Sequence, residues 1–198
     1  MLKAGITGGI GSGKTTVCKI FETLGIPVYY ADDRAKWLMT HDEHLMSEIR
    51  DAFGADAYTP DGQLNRAYLS GVVFSDAEKL KQLNALVHPA VFSDGSAWHQ
   101  AQTGTPYTLR EAALLYESGS YKAIDKMIVV TAPLALRIKR VMERDNISEA
   151  AVRARIEKQW PEEEKIKRAD YVIYNDGEQL LVPQVLKIHR ALLLIEGQ

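Results

Sequence analysis

The chain has one cysteine, Cys18, among 198 residues, so it has no internal disulfide framework and a reducing compartment, the cytoplasm, is expected. Cys18 itself reads as a small buried residue of the first helix. No apolar run approaches the ~20 residues of a membrane span. The N-terminal stretch Leu2 to Ile6 is too short for a secretory h-region and runs straight into glycines. Repeats and low-complexity segments are missing. So is an excess of positive charge: 24 Lys and Arg stand against 26 Asp and Glu, which argues against a general nucleic-acid-binding face. His41, His44, His99 and His189 keep no metal-site spacing with Cys18 or with carboxylates. What remains is a globular chain of one ordinary domain, with 46% apolar residues to build its core.

Glycine is concentrated where it carries information. Residues 8–16 read GGIGSGKTT, which is Gly8, four residues, then Gly13-Lys14-Thr15, the P-loop pattern. Its backbone can turn N–H groups onto phosphate oxygens, Lys14 can reach the β- and γ-phosphates, and the Thr15 hydroxyl can ligate Mg²⁺. Chance supplies the four fixed positions in roughly one chain in a hundred of this length, so context decides. Residues 2–7 predict a short strand, and 14–24 a helix with Val17, Ile20, Phe21 and Leu24 inward and Gly25 as its stop. IPVYYAD (26–32) predicts a second buried strand, next to the first and finishing on two carboxylates. Strand, glycine loop, helix, strand is the unit in which a P-loop works.

Residues 33–102 predict helix almost throughout, broken at Gly54, at TPDG (59–62) and at His88-Pro89. So long an excursion suggests a helical insert over the sheet's C-terminal edge, where open α/β sheets bind substrates. Strand pattern returns at 106–115, 126–132 and 170–175. Pro133 starts a helix, a second begins near Ser148, and Leu181, Val185, Ile188, Leu192 and Ile195 mark the core stripe of the last.

Phosphoryl transfer needs charge neutralisation, alignment and a group to take a proton. Asp32 is the first candidate for that base. The alternative is that Asp32 and Asp33 both serve as acids at a helix start. Glu111 is the second, because a carboxylate inside a buried strand is costly unless it serves a ligand or pairs with a neighbour such as Arg110. Arg137, Arg140 and Arg144 share one helix face. They form either a solvated surface or a lid that closes on ATP and excludes water. His88, before a proline, reads more readily as structural than as catalytic.

Together these motifs resemble the dephospho-CoA kinase family. The resemblance runs through GITGGIGSGKTT, LGIPVYYAD, DGQLNRAYLSGVVF, LNALVHPAV, LLYESG, RIKRVMERDNIS, IEKQ and ADYVIYNDG, nearly the whole chain in order. It implies a five-stranded, mostly parallel α/β sheet of the P-loop NTPase fold, with a helical insert and a helical lid. On that resemblance 1–198 is a single kinase domain. Its nucleotide-binding core is 1–32, 105–136 and 169–198, its substrate-binding region 33–104 and its lid 137–168. The resemblance places ATP on Gly9, Gly11, Ser12, Gly13, Lys14, Thr15 and Thr16, with Mg²⁺ at Thr15, Arg140 as a catalytic lid residue and Asn175 beside the adenine. Asp32 matches the acid that takes the proton from the ribose 3′-hydroxyl of dephospho-CoA, and Arg66, His88 and Glu117 fall on the acceptor side, where Glu111, the buried strand carboxylate, is also expected to bind substrate. Three positions depart from the family pattern: Tyr30 in place of its first acid, Ala113 in place of a proline, and Glu111 where the family often has an aspartate two residues earlier.

Other readings differ in a few features. A kinase for a nucleoside monophosphate or a shikimate-like alcohol shares the loop and the arginines but lacks the LNALVHP and LLYE segments. A GTP switch needs Asn-Lys-x-Asp, and none of Asn65, Asn84, Asn146 or Asn175 precedes a lysine. The expected partners are therefore ATP and dephospho-CoA, without nucleic acid or membrane, in a monomer or weak homo-oligomer.

Overall fold

The computed structural model describes residues 1–196; Gly197 and Gln198, which close the predicted core segment, lie outside it. The strands are β1 (Leu2–Thr7), β2 (Val28–Tyr30), β3 (Tyr107–Glu111), β4 (Lys126–Thr131) and β5 (Tyr171–Tyr174). The helices are α1 (Lys14–Thr23), α2 (Ala31–His41), α3 (Glu43–Phe53), α4 (Arg66–Ser75), α5 (Ala77–Ala101), α6 (Leu134–Asp145), α7 (Glu149–Ile156), α8 (Glu162–Lys167) and α9 (Leu181–Glu196). No helix among the described residues is long and apolar enough to cross a membrane. Two compact units emerge, one of Met1–Tyr30 with the chain from His99 onward, the other of Ala31–Trp98.

The first unit is built on a five-stranded sheet of order β2-β3-β1-β4-β5, parallel at every pairing. Strands buried on both faces are apolar through their middle, as Ala4–Ile6 of β1 and Met127–Val130 of β4 are. Val17, Cys18 and Phe21 of α1 and Val185, Ile188 and Leu192 of α9 pack on Ile6, Leu109, Ile128 and Ile173 to make the main core. Ile195, the last of the predicted stripe, is exposed, because α9 runs past the sheet. A smaller core joins Ile138 and Val141 of α6 to Val152 of α7, with Ile10 of the glycine loop packed against it.

Two expectations at the sheet edge change. β3 stands between β1 and β2, so the strand after α1 is not the neighbour of the first. β2 stops at Tyr30, and Asp32 is the second residue of α2 and not the end of a strand. Ala31-Asp32-Asp33 favour the helix, since carboxylates in a first turn meet the positive end of its dipole.

The second unit is helical. Asp42 caps α3, accepting from Leu45 N at 3.0 Å, and Asn65 caps α4, accepting from Tyr68 N at 3.1 Å. Leu38, Leu45, Ile49, Phe53, Leu69, Val87 and Val91 form its buried face. The break predicted at His88-Pro89 does not occur. α5 continues through Pro89, losing one backbone donor within 25 residues of helix.

Candidate active site

The loop from Gly8 to Gly13 joins β1 to α1 at the C-terminal end of the sheet. Gly13 takes a left-handed conformation (φ 92°) as the N-cap of α1, and a side chain there would overlap the Asn175 amide. A side chain at Gly9 would overlap the Arg137 guanidinium. The loop can therefore lie directly beneath the side chains of α6 and of the turn after β5. Ser12 N donates to Gly9 O at 3.1 Å, and Lys14 Nζ reaches back to Gly8 O at 3.0 Å. The first turn of α1 presents N–H groups and the positive end of the helix dipole, which is what phosphate recognition requires.

Arg140 and Asn175 meet at this loop. Arg140 donates to Gly11 O at 3.5 Å and to Asn175 Oδ1 at 3.3 Å, and Asn175 Nδ2 donates to Ser12 O at 2.8 Å. Asn175 is held in turn by its own N–H, 2.8 Å from Thr131 O at the end of β4. The other two arginines of the predicted face part company with Arg140. Arg137 is buried and paired with Glu162, while Arg144 is exposed and bonded to Asp145 at 2.7 Å. A cavity of about 510 Å³ opens at the ends of β4 and β5, lined by Thr131, Pro133, Arg137, Tyr174 and Asp176 among others. That is within the size range of small-ligand sites.

Glu111 ends β3 buried, in register with Ile6 and Tyr30, while Arg110 is in register with Tyr29. Successive strand residues point to opposite faces. Accordingly the Arg110 guanidinium lies 5.5 Å from the centre of the Tyr29 ring, and Glu111 faces α1. Its charge is felt there: burial pushes the Cys18 thiol well above its usual range, and Glu111 adds to the shift while Lys14 opposes it. Glu117 is engaged elsewhere. Its Oε1 accepts from Trp160 N at 2.8 Å and pairs with Lys165 Nζ at 2.7 Å, with Lys165 only 1% exposed. Trp160 stacks on Tyr116 at 5.8 Å.

The remaining predicted residues belong to the helical unit. Asp32 and Asp33 are exposed in the first turn of α2, but Asp33 is paired with Lys36 at 2.7 Å. Arg66 opens α4, and His88 is exposed on α5. Sequence reading did not single out Gln159, whose Oε1 accepts from Ile10 N at 2.9 Å, nor Lys165 and Glu162. They lie in a stretch whose many charges suggest a solvated surface, and of the three only Gln159 falls within a family-like segment, IEKQ.

A glycine loop between the first strand and first helix of a parallel sheet, with a lysine folded over it and an arginine beside it, defines the P-loop NTPase fold. The profile of the dephospho-CoA kinase family matches residues 2–180. A dephospho-CoA kinase of Salinibacter ruber is 45% identical over 179 residues, 89% of this chain and 90% of that protein. A solved structure of TT1252 from Thermus thermophilus superposes with a TM-score of 0.84 at 37% identity, covering 96% of each chain. The dephospho-CoA kinase of Campylobacter jejuni superposes at 0.70 with 28% identity over 95% of each. The chain belongs to the dephospho-CoA kinase family, whose reaction is the last step of coenzyme A synthesis.

Proposed function

We propose that this chain transfers the γ-phosphoryl group of ATP to the ribose 3′-hydroxyl of dephospho-CoA, releasing coenzyme A and ADP. The observation that carries this reading is the convergence of Lys14, Arg140 and Asn175 on the glycine-loop backbone of a chain from this family. Little covalent work falls to the protein in phosphoryl transfer, so positioning and charge neutralisation dominate. Gly9 and the run Gly11 to Thr16 form the triphosphate cradle. Lys14 and Arg140 neutralise charge on the transferring group, and Asn175 lies on the adenine side.

Asp32 accepts the proton of the attacking hydroxyl, while Arg66, His88 and Glu111 serve the acceptor. Glu117 joins this group, its carboxylate held by Lys165 and Trp160. Thr15 fits a Mg²⁺ ligand, being an exposed hydroxyl-bearing residue in the first turn of α1, next to Lys14. An ion held by one hydroxyl, phosphate oxygens and water is the usual Mg²⁺ arrangement. When bound it would neutralise phosphate charge. We place the protein in the cytoplasm as a monomer or weak homo-oligomer, acting on small molecules without nucleic acid or membrane.

The test is ADP formation from ATP and Mg²⁺ with dephospho-CoA, AMP or shikimate as acceptor. Stimulation by dephospho-CoA alone, with coenzyme A as product, is expected. Equal or greater stimulation by AMP or shikimate would overturn the acceptor assignment.

A further inference from the structure

Ile10 occupies one of the free positions of the P-loop pattern, yet every part of it is held. Its N–H donates to Gln159 Oε1 at 2.9 Å, and its carbonyl accepts from Arg137 Nε at 3.0 Å. Its side chain packs on the Ile138, Val141 and Val152 cluster of α6 and α7. The two polar partners are themselves fixed. Arg137, with a side chain 6% exposed, is paired with Glu162 of α8. Gln159 is followed by Trp160, whose N–H is bonded to Glu117 and whose ring lies between Tyr116 and the Arg168 guanidinium. Burial of an arginine is costly unless it is paired and bonded. Arg137 is shared between Glu162 and the Ile10 carbonyl, so this pair ties α8 to the backbone of the loop.

The consequence lies one residue further along. With both backbone polar groups of Ile10 engaged, its N–H by Gln159 and its carbonyl by Arg137, the course of the loop into Gly11 is set. We infer that Gln159, together with the Arg137–Glu162 pair, positions the phosphate loop through the Ile10 peptide, so that the chain between α7 and α8 tunes affinity for the triphosphate. Gln159 acts through Ile10 and touches no reacting atom. It is a positioning residue. The inference rests on ATP occupying this loop and not on which alcohol accepts the phosphoryl group.

Gln159→Met keeps the volume and removes the acceptor. If the competent loop shape falls to about a tenth of the population, the apparent affinity falls by the same factor. The expected result is a KM for ATP raised about tenfold, with kcat at saturating ATP and KM for dephospho-CoA within twofold of the unaltered protein. Amide hydrogen exchange supplies a readout independent of turnover. The Ile10 amide should exchange about tenfold faster in the variant, while that of Ser12, which bonds to Gly9 within the loop, keeps its rate. A fall in kcat at unchanged KM for ATP, or equal acceleration of the Ile10 and Ser12 amides, would overturn the inference. If the unaltered protein forms no coenzyme A, the acceptor assignment fails while the exchange measurement still decides this point.

Discussion

The ion pair of Lys165 with Glu117 offers a sharp test of how the segment around α8 is attached. The two side chains are 1% and 13% exposed and 2.7 Å apart. Removing one member of a buried pair leaves the other charge unsolvated, at a cost of about 3–5 kcal/mol. Lys165→Met strands a carboxylate that still accepts from Trp160 N, so the lower end, about 3 kcal/mol, is expected. Glu117→Gln strands an ammonium with almost no access to water, so the cost should be nearer 4–5 kcal/mol. The double variant removes both charges and should recover most of the loss, giving a coupling of at least about 2 kcal/mol. Urea unfolding followed by circular dichroism reads this directly. With a slope of about 2–3 kcal/mol/M for a chain of this size, the Lys165→Met midpoint should drop by more than about 1 M. A drop below roughly 0.3 M, or single effects that simply add, would refute the claim that burial makes this pair mutually dependent.

Other outcomes follow from the same geometry. Asp32→Asn should lower kcat by about 10²–10⁴ while ATP affinity, measured by calorimetry, stays within a few-fold; loss of ATP binding in a folded variant would count against the base assignment. Arg140→Ala should lower kcat by about 10²-fold, whereas Arg144→Ala, which removes only an exposed contact to Asp145, should leave turnover nearly unchanged. Comparable losses in the two would dissolve the distinction between them. Cys18 should resist iodoacetamide at pH 8.5 until the chain unfolds, because burial favours the neutral thiol. Its folded pKa lies above the unfolded value, so the stability it contributes is full below about pH 8.5 and declines as pH rises further. Rapid labelling of folded protein would contradict the burial.

The glycine loop was legible because four fixed residue types report directly on one backbone shape. Strand order was not. Alternation of strand and helix leaves open which strand lies beside which, and β3 entered between β1 and β2 without any local signal. Asp32 was visible as a carboxylate at the right place in the chain, but apolar residues before it extended the predicted strand two residues into a helix start. Pro89 misled because a proline inside a long helix removes only one bond, which tertiary packing can outweigh. Gln159 and Lys165 were hidden for the opposite reason. They sit among exposed charges, and polarity alone does not tell a buried partner from a solvated one.

The position of β3 also bears on how the protein is made. Leu2 pairs with Tyr107, so β1 waits for about 105 further residues before its first strand neighbour exists. At ordinary rates of synthesis that interval is about 5–20 s. Through it β1 stays without its β3 partner while the whole of the second unit is synthesised. The central strand of the sheet is thus made long before the strand it pairs with, and the sheet closes only when the chain returns from the second unit.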